Sequence, residues 1–283
     1  MSDIDLDHLR TWIGKSRTDN DLISARQARL MAATVDYIGA DRIRDGEPLP
    51  PLWHWTYFLE GLPAGELGRD GHPARGGFLP PVPLANRMWA GGRVSFLAPL
   101  RIGSTVRKDS SIHKVDHKRG RSGDLVFVTV LHELKSPQGE LLVREEQDLV
   151  FKDATPPGQS GGVPAAAPPA KFTKTYTPTS TTLFRYSALT FNGHRIHYDA
   201  DYCREVEGYR NLVIHGPLNA TMLAGFAEEA SGERLREFSY RGLAPALLGV
   251  SITLRADPGD GRAALNATLD DNTVSMQAEA VFR

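Results

Sequence analysis

The sequence predicts an α+β protein made of two unequal copies of one fold, joined by a linker. The chain has 283 residues, enough for two domains of moderate size. Residues 155–170, TPPGQSGGVPAAAPPA, contain Pro, Gly, Ala and small polar residues without a periodic apolar face, so they cannot form a packed core. We therefore predict domains at 1–154 and 171–283, with 155–170 as the linker between them.

The first domain is predicted to begin with a helix and to end in a sheet. Apolar residues at near-helical spacing favour a helix over 21–37, and the aromatic-rich sequence WHWTYF favours a strand at 53–58. Residues 61–92 are rich in Gly and Pro and predict a long loop. Loops of this length inside a compact domain are often functional. The sheet is predicted from three strand-like runs, at 93–100, 125–134 and 142–151.

The second domain shows a similar plan, with a strand at 182–189 and a helix within 212–231. Gly216 and Pro217 suit the first positions of this helix, because proline there loses no hydrogen bond that the helix needs. Three strand-like runs follow, at 246–256, 262–271 and 273–282. A long helix followed by antiparallel strands is the order of a hotdog fold, in which a curved sheet wraps a central helix. We therefore predict a double hotdog, with two such modules.

Composition and charge exclude several classes of protein. The net charge is −1 and the basic residues are dispersed, so neither nucleic acid nor an anionic membrane is an expected partner. The single cysteine, Cys203, cannot form an internal disulfide, which favours a reducing compartment. No apolar run reaches the roughly 18 residues of a membrane span, and the acidic start of the chain does not resemble a signal peptide. We expect a cytoplasmic protein.

Residues 187–199, SALTFNGHRIHYD, carry the most informative motif. The segment resembles the motif of the MaoC-like (R)-specific enoyl-CoA hydratases, in which an acidic residue is followed five positions later by a histidine. The resemblance places His197 on the catalytic histidine and Asn192 on the catalytic aspartate. His215 to Leu218 resemble the start of the family's central helix. Residues 76–96 resemble the first half of two-hotdog hydratases acting on mesaconyl-C4-CoA or itaconyl-CoA, and of related mitochondrial-type dehydratases.

The residue types suit the addition of water to an enoyl thioester. That reaction needs a base for the water proton, a group that holds the water, and donors for the negative charge developing on the thioester oxygen. His197 is the natural base near neutral pH, Asn192 can hold the water, and the N–H of Gly216 at a helix N-terminus can face the oxygen. These three are the predicted catalytic residues. An acyl-CoA is the expected substrate, and no cofactor is needed.

Other histidines receive different interpretations. His194 and His197 lie three residues apart, but no third ligand follows at a suitable spacing, so no metal is predicted. The first domain should lack its own catalytic histidine, because none of its histidines sits in a matching motif. These are His54, His72, His113, His117 and His132.

The asparagine at position 192 leaves the mechanism open, because an amide cannot accept a proton as a carboxylate can. Either His197 acts alone while Asn192 orients the water, or a carboxylate enters from elsewhere, or activity on ordinary enoyl-CoA is lost. Three other functions stay open: an (R)-3-hydroxyacyl thioester dehydratase of fatty-acid metabolism, a hotdog thioesterase and a non-catalytic acyl-CoA-binding subunit. The resemblance also leaves a homodimer open.

The resemblance points to short branched dicarboxylic acyl-CoA esters as substrates. A buried carboxylate needs a cationic partner, and arginine offers a bidentate match. The candidates for binding the carboxylate are Arg87, Arg93, Arg185 and Arg195. These arginines could instead lie on the surface or bind CoA phosphates. His215 is a further candidate for substrate binding, or it packs near the start of the helix.

Overall fold

The computed structural model of the chain describes residues 4–120, 123–153 and 167–283. Its strands are β1 (Ser16–Leu22), β2 (Asn86–Phe96), β3 (Thr105–Gly120), β4 (Gly123–Lys135), β5 (Leu141–Lys152), β6 (Phe172–Tyr176), β7 (Leu235–Gly242), β8 (Ile252–Gly259), β9 (Arg262–Thr268) and β10 (Val274–Phe282). All ten join one antiparallel sheet in the order β1-β3-β4-β5-β2-β7-β10-β9-β8-β6. The first five strands of the chain fill one half of the sheet and the last five the other.

The two halves meet where β2 pairs with β7. Outward from this junction, both halves follow the same chain order, so the sheet consists of two modules related by an approximate twofold axis. Gly92 lies opposite Tyr240 in the junction. A Cβ added at Gly92 would overlap the Tyr240 hydroxyl, and one at Gly91 would overlap the Tyr240 carbonyl. The two glycines therefore allow the close approach that makes one continuous sheet, and the double-hotdog prediction is confirmed.

The helices are α1 (Leu6–Arg10), α2 (Ala25–Thr34), α3 (Ser180–Thr190), α4 (Ala200–Tyr202) and α5 (Gly216–Ser231). Helix α5 is the central helix of the second module and contacts β7, β8, β9 and β10. Its buried alanines, Ala220, Ala224 and Ala227, let the sheet approach closely. As predicted, the helix begins at Gly216 and Pro217.

The first module has no long helix, in its described residues, at the place that α5 takes in the second. Between α2 and β2 the chain instead forms three short 3₁₀ turns, at Ala40–Arg42, Trp53–Thr56 and Ala64–Glu66. The predicted strand at 53–58 is therefore wrong. Pro50 and Pro51 remove two N–H donors just before this segment, and Leu52 takes a left-handed backbone conformation with φ of +66°. Only a single buried turn forms there.

Helix α3 replaces the strand predicted at 182–189. Its buried side chains, Leu183, Tyr186 and Leu189, are spaced three apart, which is the period of a helix face. Thr179 caps the helix, since its hydroxyl accepts the N–H of Thr182 at 3.2 Å. The helix predicted at 21–37 is shorter than expected, because α2 begins only after its N-cap Ser24.

Two apolar clusters lie on the inner face of the sheet. The larger one surrounds α5 and extends into the first module, and the smaller one lies between β3, β4, β5 and the segment that contains Val82 and Leu84. On β4, Val130 belongs to the smaller cluster and Leu134 to the larger, and His132 lies between them. Polar side chains therefore separate the two clusters at this point.

Part of the predicted organisation falls beyond the described residues. The predicted linker lies outside them except for 167–170, which form neither helix nor strand. The division into domains at this segment stays a prediction. Within the described ranges, no helix has the length and apolar character needed to cross a membrane.

Candidate active site

A cavity of about 590 Å³ lies between the two modules. The second module contributes the 3₁₀ turn Arg195–His197 and the start of α5 to its wall. The first module contributes β2 and part of the Gly/Pro-rich loop. The residues that matter for chemistry are His72, Arg87, Trp89, Asn192, His194, His197 and Gly216.

His197 is buried, with 6% of its surface exposed, and it lines this cavity. Its Nδ1 lies 2.7 Å from the carbonyl oxygen of Val213. Because a carbonyl can only accept, Nδ1 carries the proton and Nε2 keeps its lone pair. Burial lowers the pKa of His197 to about 4, so the ring is neutral at pH 7. The structure therefore presents His197 in the form that a general base requires.

His215 supports the His197 ring from behind. The two rings are stacked, with centroids 3.5 Å apart and an interplanar angle of 18°. His215 Nε2 lies 2.9 Å from Ser187 Oγ, and the residue is fully buried. Burial lowers the pKa of His215 well below its ordinary value. His215 is not among the residues that line the cavity, so its predicted role in substrate binding gives way to the packing alternative.

Asn192 lies in the turn that ends α3. Phe191 takes a left-handed conformation with φ of +48°, and Asn192 Oδ1 accepts the N–H of His194 at 3.0 Å. This Asx turn fixes the amide and leaves Nδ2 without a hydrogen-bond partner among the described residues. Asn192 lines the cavity, so its free Nδ2 can donate a hydrogen bond to a bound water.

The N-terminus of α5 faces the same cavity through Gly216. Within the described residues, no acceptor bonds the Gly216 N–H, and His215 supplies no side-chain cap. A helix N-terminus carries about half a positive charge, which favours a negative oxygen there. A Cβ at Gly216 would lie 2.8 Å from Cε3 of Trp89, a residue of the first module. Trp89 therefore restricts this position to glycine.

The Gly/Pro-rich loop brings two further residues to the site. Asp70 Oδ2 lies 3.1 Å from His72 Nδ1, and the His72 ring lies 4.2 Å from the His194 ring. The His194 ring in turn lies 5.6 Å from the His197 ring. The Arg195 N–H donates to the Asp70 carbonyl at 2.9 Å, which fastens the loop to the histidine segment.

Sequence reasoning missed Asp70 and His72, since it placed no first-domain histidine at the site. The available signal was the length and Gly/Pro content of the loop, which predicted a functional segment without indicating its residues.

Of the four predicted arginines, only Arg87 lines the cavity. It lies on β2, is partly buried, and has no hydrogen-bonded partner among the described residues. Burial lowers its pKa to about 10, partly opposed by the negative charge of Asp70. The guanidinium therefore stays cationic at neutral pH.

The other three arginines lie elsewhere. Arg93 is half exposed and bonds Glu146 and Asp148 at 3.0 and 2.8 Å. Arg195 pairs with Asp199 at 2.8 Å, and Arg185 reaches the Ala33 carbonyl at 3.4 Å. None of the three lines the cavity, because each is held by partners outside it.

The first-module end of the cavity contains a second set of buried polar groups. His54 Nε2 lies 2.8 Å from Glu145 Oε2, and Trp55 Nε1 donates to Glu145 Oε1 at 2.9 Å. Lys108 and His132 also line this end. Burial lowers the pKa of both Lys108 and His132. The cavity wall is thus polar at both ends.

Comparisons with known proteins agree with this geometry. Residues 52–248 match the family model of the type 2 hydroxyacyl-thioester dehydratases. The chain is 42% identical over 270 residues to a mesaconyl-C(4)-CoA hydratase of Chloroflexus aurantiacus, covering 94% of this chain and 95% of that protein. It is 26% identical over 234 residues to the mitochondrial type 2 hydroxyacyl-thioester dehydratase of Schizosaccharomyces pombe, covering 73% and 77%.

A solved structure shares the fold. The MaoC-like dehydratase from Phytophthora capsici has a TM-score of 0.75 at 14% identity, covering 99% of this chain and 98% of that one. The chain therefore belongs to the family of type 2 hydroxyacyl-thioester dehydratases and is a double-hotdog hydro-lyase.

Proposed function

We propose that this protein adds water to the 2,3-double bond of an enoyl-CoA that has a free carboxylate close to that bond. Mesaconyl-C4-CoA is the first candidate substrate, and itaconyl-CoA the second. The observation that carries the proposal is Arg87, a cavity-lining guanidinium without a hydrogen-bonded partner in the described part of the chain. The relative that is 42% identical supports the same substrate class.

In this proposal, His197 activates the water. The water donates one proton to Nε2 of His197 and accepts a hydrogen bond from Nδ2 of Asn192. As Nε2 takes the proton, the water oxygen bonds to the β-carbon. The bond from His197 Nδ1 to the Val213 carbonyl keeps Nε2 as the accepting atom throughout.

The N-terminus of α5 stabilises the charge that develops as water adds. Electron density moves from the double bond onto the thioester oxygen, and the Gly216 N–H donates to that oxygen. The indole of Trp89 packs against the helix start, and this apolar neighbour strengthens the interaction.

Arg87 holds the substrate carboxylate. A carboxylate loses its hydration when it enters the cavity, and a planar guanidinium can replace that hydration with two parallel hydrogen bonds. A straight-chain substrate such as crotonyl-CoA has no such group and would leave Arg87 unpaired. The proposed enzyme therefore prefers the dicarboxylic ester.

The reaction needs only an acyl-CoA and water, so the proposal includes no cofactor. The proposal also places the enzyme in the cytoplasm, where a buried cysteine such as Cys203 stays reduced. A homodimer stays a prediction.

A substrate panel tests the proposal. We expect kcat/KM to be highest for mesaconyl-C4-CoA or itaconyl-CoA and lower for crotonyl-CoA. Arg87→Met should reduce kcat/KM for the dicarboxylic esters by at least tenfold and should not reduce it for crotonyl-CoA. Arg93→Met is the matched control, since Arg93 lies outside the cavity, and it should leave both activities unchanged.

Two results would contradict the proposal. A preference for crotonyl-CoA or a longer straight chain would remove the role of Arg87. Release of free CoA thiol in place of hydration would indicate a thioesterase.

A further inference from the structure

Three imidazoles line one wall of the cavity, and they differ in their partners. His197 donates its Nδ1 proton to a backbone carbonyl, and His194 has no ring hydrogen bond with the described residues. His72 alone faces a carboxylate, Asp70, at 3.1 Å. A carboxylate beside an imidazole favours its protonated form, whereas a carbonyl does so only weakly. The wall therefore has one imidazole that faces a carboxylate and one whose Nε2 is left to accept a proton.

We propose that His72, oriented by Asp70, is the second catalytic residue, which delivers a proton to the α-carbon while His197 removes one from water. This inference rests on the proposed role of His197 as the base. It also answers the question raised by Asn192: the carboxylate that the second module lacks is supplied by the first module, from a loop more than 100 residues earlier in the chain.

The step balances in atoms and charge. One O–H bond of water breaks and its proton bonds to Nε2 of His197. The C–O bond forms at the β-carbon, and the electron pair of the double bond forms the new C–H bond at the α-carbon. That hydrogen leaves Nε2 of His72, because Nδ1 of His72 stays bonded to Asp70. Afterwards His197 carries the extra proton and His72 is neutral.

His194 lies in a position to restore the starting state. Its ring lies between the other two, 4.2 Å from His72 and 5.6 Å from His197. One proton passes from His197 to His72 through His194, which returns both residues to their initial forms. Burial and the charge of neighbouring histidines lower the pKa of His194. The proton therefore does not stay on His194.

The charges around His72 link its protonation to substrate binding. Burial lowers the pKa of His72, Asp70 raises it, and the cations Arg87 and Arg75 lower it further. Among the described residues, the His194 ring also faces it, and the charge of His72 in turn lowers the pKa of His197. When a substrate carboxylate pairs with Arg87, the positive charge of Arg87 repels a protonated His72 less strongly. Binding of the dicarboxylic substrate thus favours the protonated form of His72.

A metal ion would use the same side chains, but the surroundings disfavour it. Ligand atoms of Asp70, His72 and His194 lie within 4.8 Å of one another. Tetrahedral zinc needs ligand atoms about 3.4 Å apart. The guanidinium of Arg87 acts on all three groups and repels a dication. Asp70 Oδ2 also already accepts a hydrogen bond from His72 Nδ1.

Exchange of α-protons separates the roles of the two histidines. Succinyl-CoA has α-protons but no double bond and no 3-hydroxyl group, so His197 has no part in its exchange. Exchange begins when neutral His72 removes an α-proton, so it is measured at alkaline pH, where His72 has lost its proton. There we expect the wild-type enzyme and His197→Gln to exchange the α-protons of succinyl-CoA in D₂O, and His72→Asn to lose this exchange at least tenfold. His113→Asn, at an exposed histidine of the first module, is the matched control and should exchange normally. Exchange that is absent from the wild-type enzyme, retained in full in His72→Asn, or lost in His197→Gln would overturn the proposal.

Turnover and its pH dependence provide a second measurement. His72→Asn should lower kcat for hydration by a factor of about 10²–10⁴, the usual effect of losing a general acid. Asp70→Asn keeps the imidazole and removes the negative charge, so the alkaline limb of the kcat profile should move to lower pH. An unchanged alkaline limb in Asp70→Asn, with reduced kcat and reduced thermal stability, would show a structural role only and contradict the proposal.

Two controls keep the outcomes distinct. Wild-type hydration of mesaconyl-C4-CoA is measured first, because its absence would refute the proposed function rather than the assignment of His72. Zinc content and activity after dialysis against a chelator are measured in parallel. Stoichiometric zinc that is needed for turnover would assign the cluster to a metal and overturn the proton-transfer role.

Discussion

The contact between Gly216 and Trp89 offers a direct test of how the two modules share the active site. Gly216→Ala adds one methyl group at the start of α5. Its carbon would lie 2.8 Å from Cε3 and 3.2 Å from Cζ3 of Trp89, where ordinary contacts begin at 3.4 Å. The indole cannot move away freely, because it is stacked on Tyr240 at 4.6 Å and meets Trp55 edge-on at 5.7 Å. The helix start must therefore move.

The magnitude follows from overpacking of a well-packed contact. Insertion of one methyl group into such a contact costs about 1–3 kcal/mol. Because the displaced helix start carries the N–H aimed at the thioester oxygen, we expect kcat/KM to fall by about tenfold or more. Gly225→Ala is the matched control in the same helix, since a Cβ there meets no atom within 4 Å. That substitution should raise stability by up to about 1 kcal/mol through helix propensity.

Denaturant unfolding and steady-state kinetics measure both effects. Trp89→Phe removes the ring atoms that the new methyl group would meet, so the cost of Gly216→Ala should be smaller in that background. If Gly216→Ala and Gly225→Ala had equal stability and equal kcat/KM, the account of Trp89 as the restriction on Gly216 would be wrong.

Three further predictions concern Asn192 and the buried histidines His197 and His132. His197→Ala should lower turnover by a factor of about 10²–10⁴ with the fold intact by circular dichroism, and near-normal turnover would remove His197 from the mechanism. Asn192→Asp should be tolerated and Asn192→Ala should cost roughly 1–3 kcal/mol in kcat/KM; full activity of Asn192→Ala would assign Asn192 to the turn alone. Acid should destabilise the fold, because the folded pKa of His197 and His132 is about 4, below the unfolded value of 6.5. Their contribution is complete above pH 6.5 and is lost as the pH falls towards 4, by up to roughly 3 kcal/mol for each histidine. Unfolding free energies that stay constant from pH 7 to pH 4 would contradict this.

Local sequence predicted the parts of the site that lie close together in the chain. Asn192 and His197 lie five residues apart in the chain. Their closeness in the structure therefore follows from the local sequence. Gly216 and Pro217 marked the start of α5 correctly, because the conformational limits of these residues act locally.

Short and polar segments were harder to assign. The eight residues at 182–189 contain apolar side chains compatible with either a strand or a helix, and only the capped, half-buried setting of α3 settles the matter. Strand β3 was not predicted at all, because its sequence, TVRKDSSIHKVDHKRG, is largely polar. Its conformation comes from pairing with β1 and β4, which a single segment cannot indicate.

The sequence by itself determined the double-hotdog plan and the glycine start of α5 from local patterns of side chains, and it singled out His197 and Asn192 through the resemblance of residues 187–199 to a family motif. The tertiary structure alone decided which distant residues complete the cavity. The sequence could not distinguish Arg87 from Arg93, because both are arginines of β2. Only their surroundings show that Arg87 lines the cavity and that Arg93 pairs with Glu146 and Asp148. Asp70 and His72 meet His194 across the modules, where the Arg195 N–H bonds the Asp70 carbonyl, and no local pattern encodes this contact.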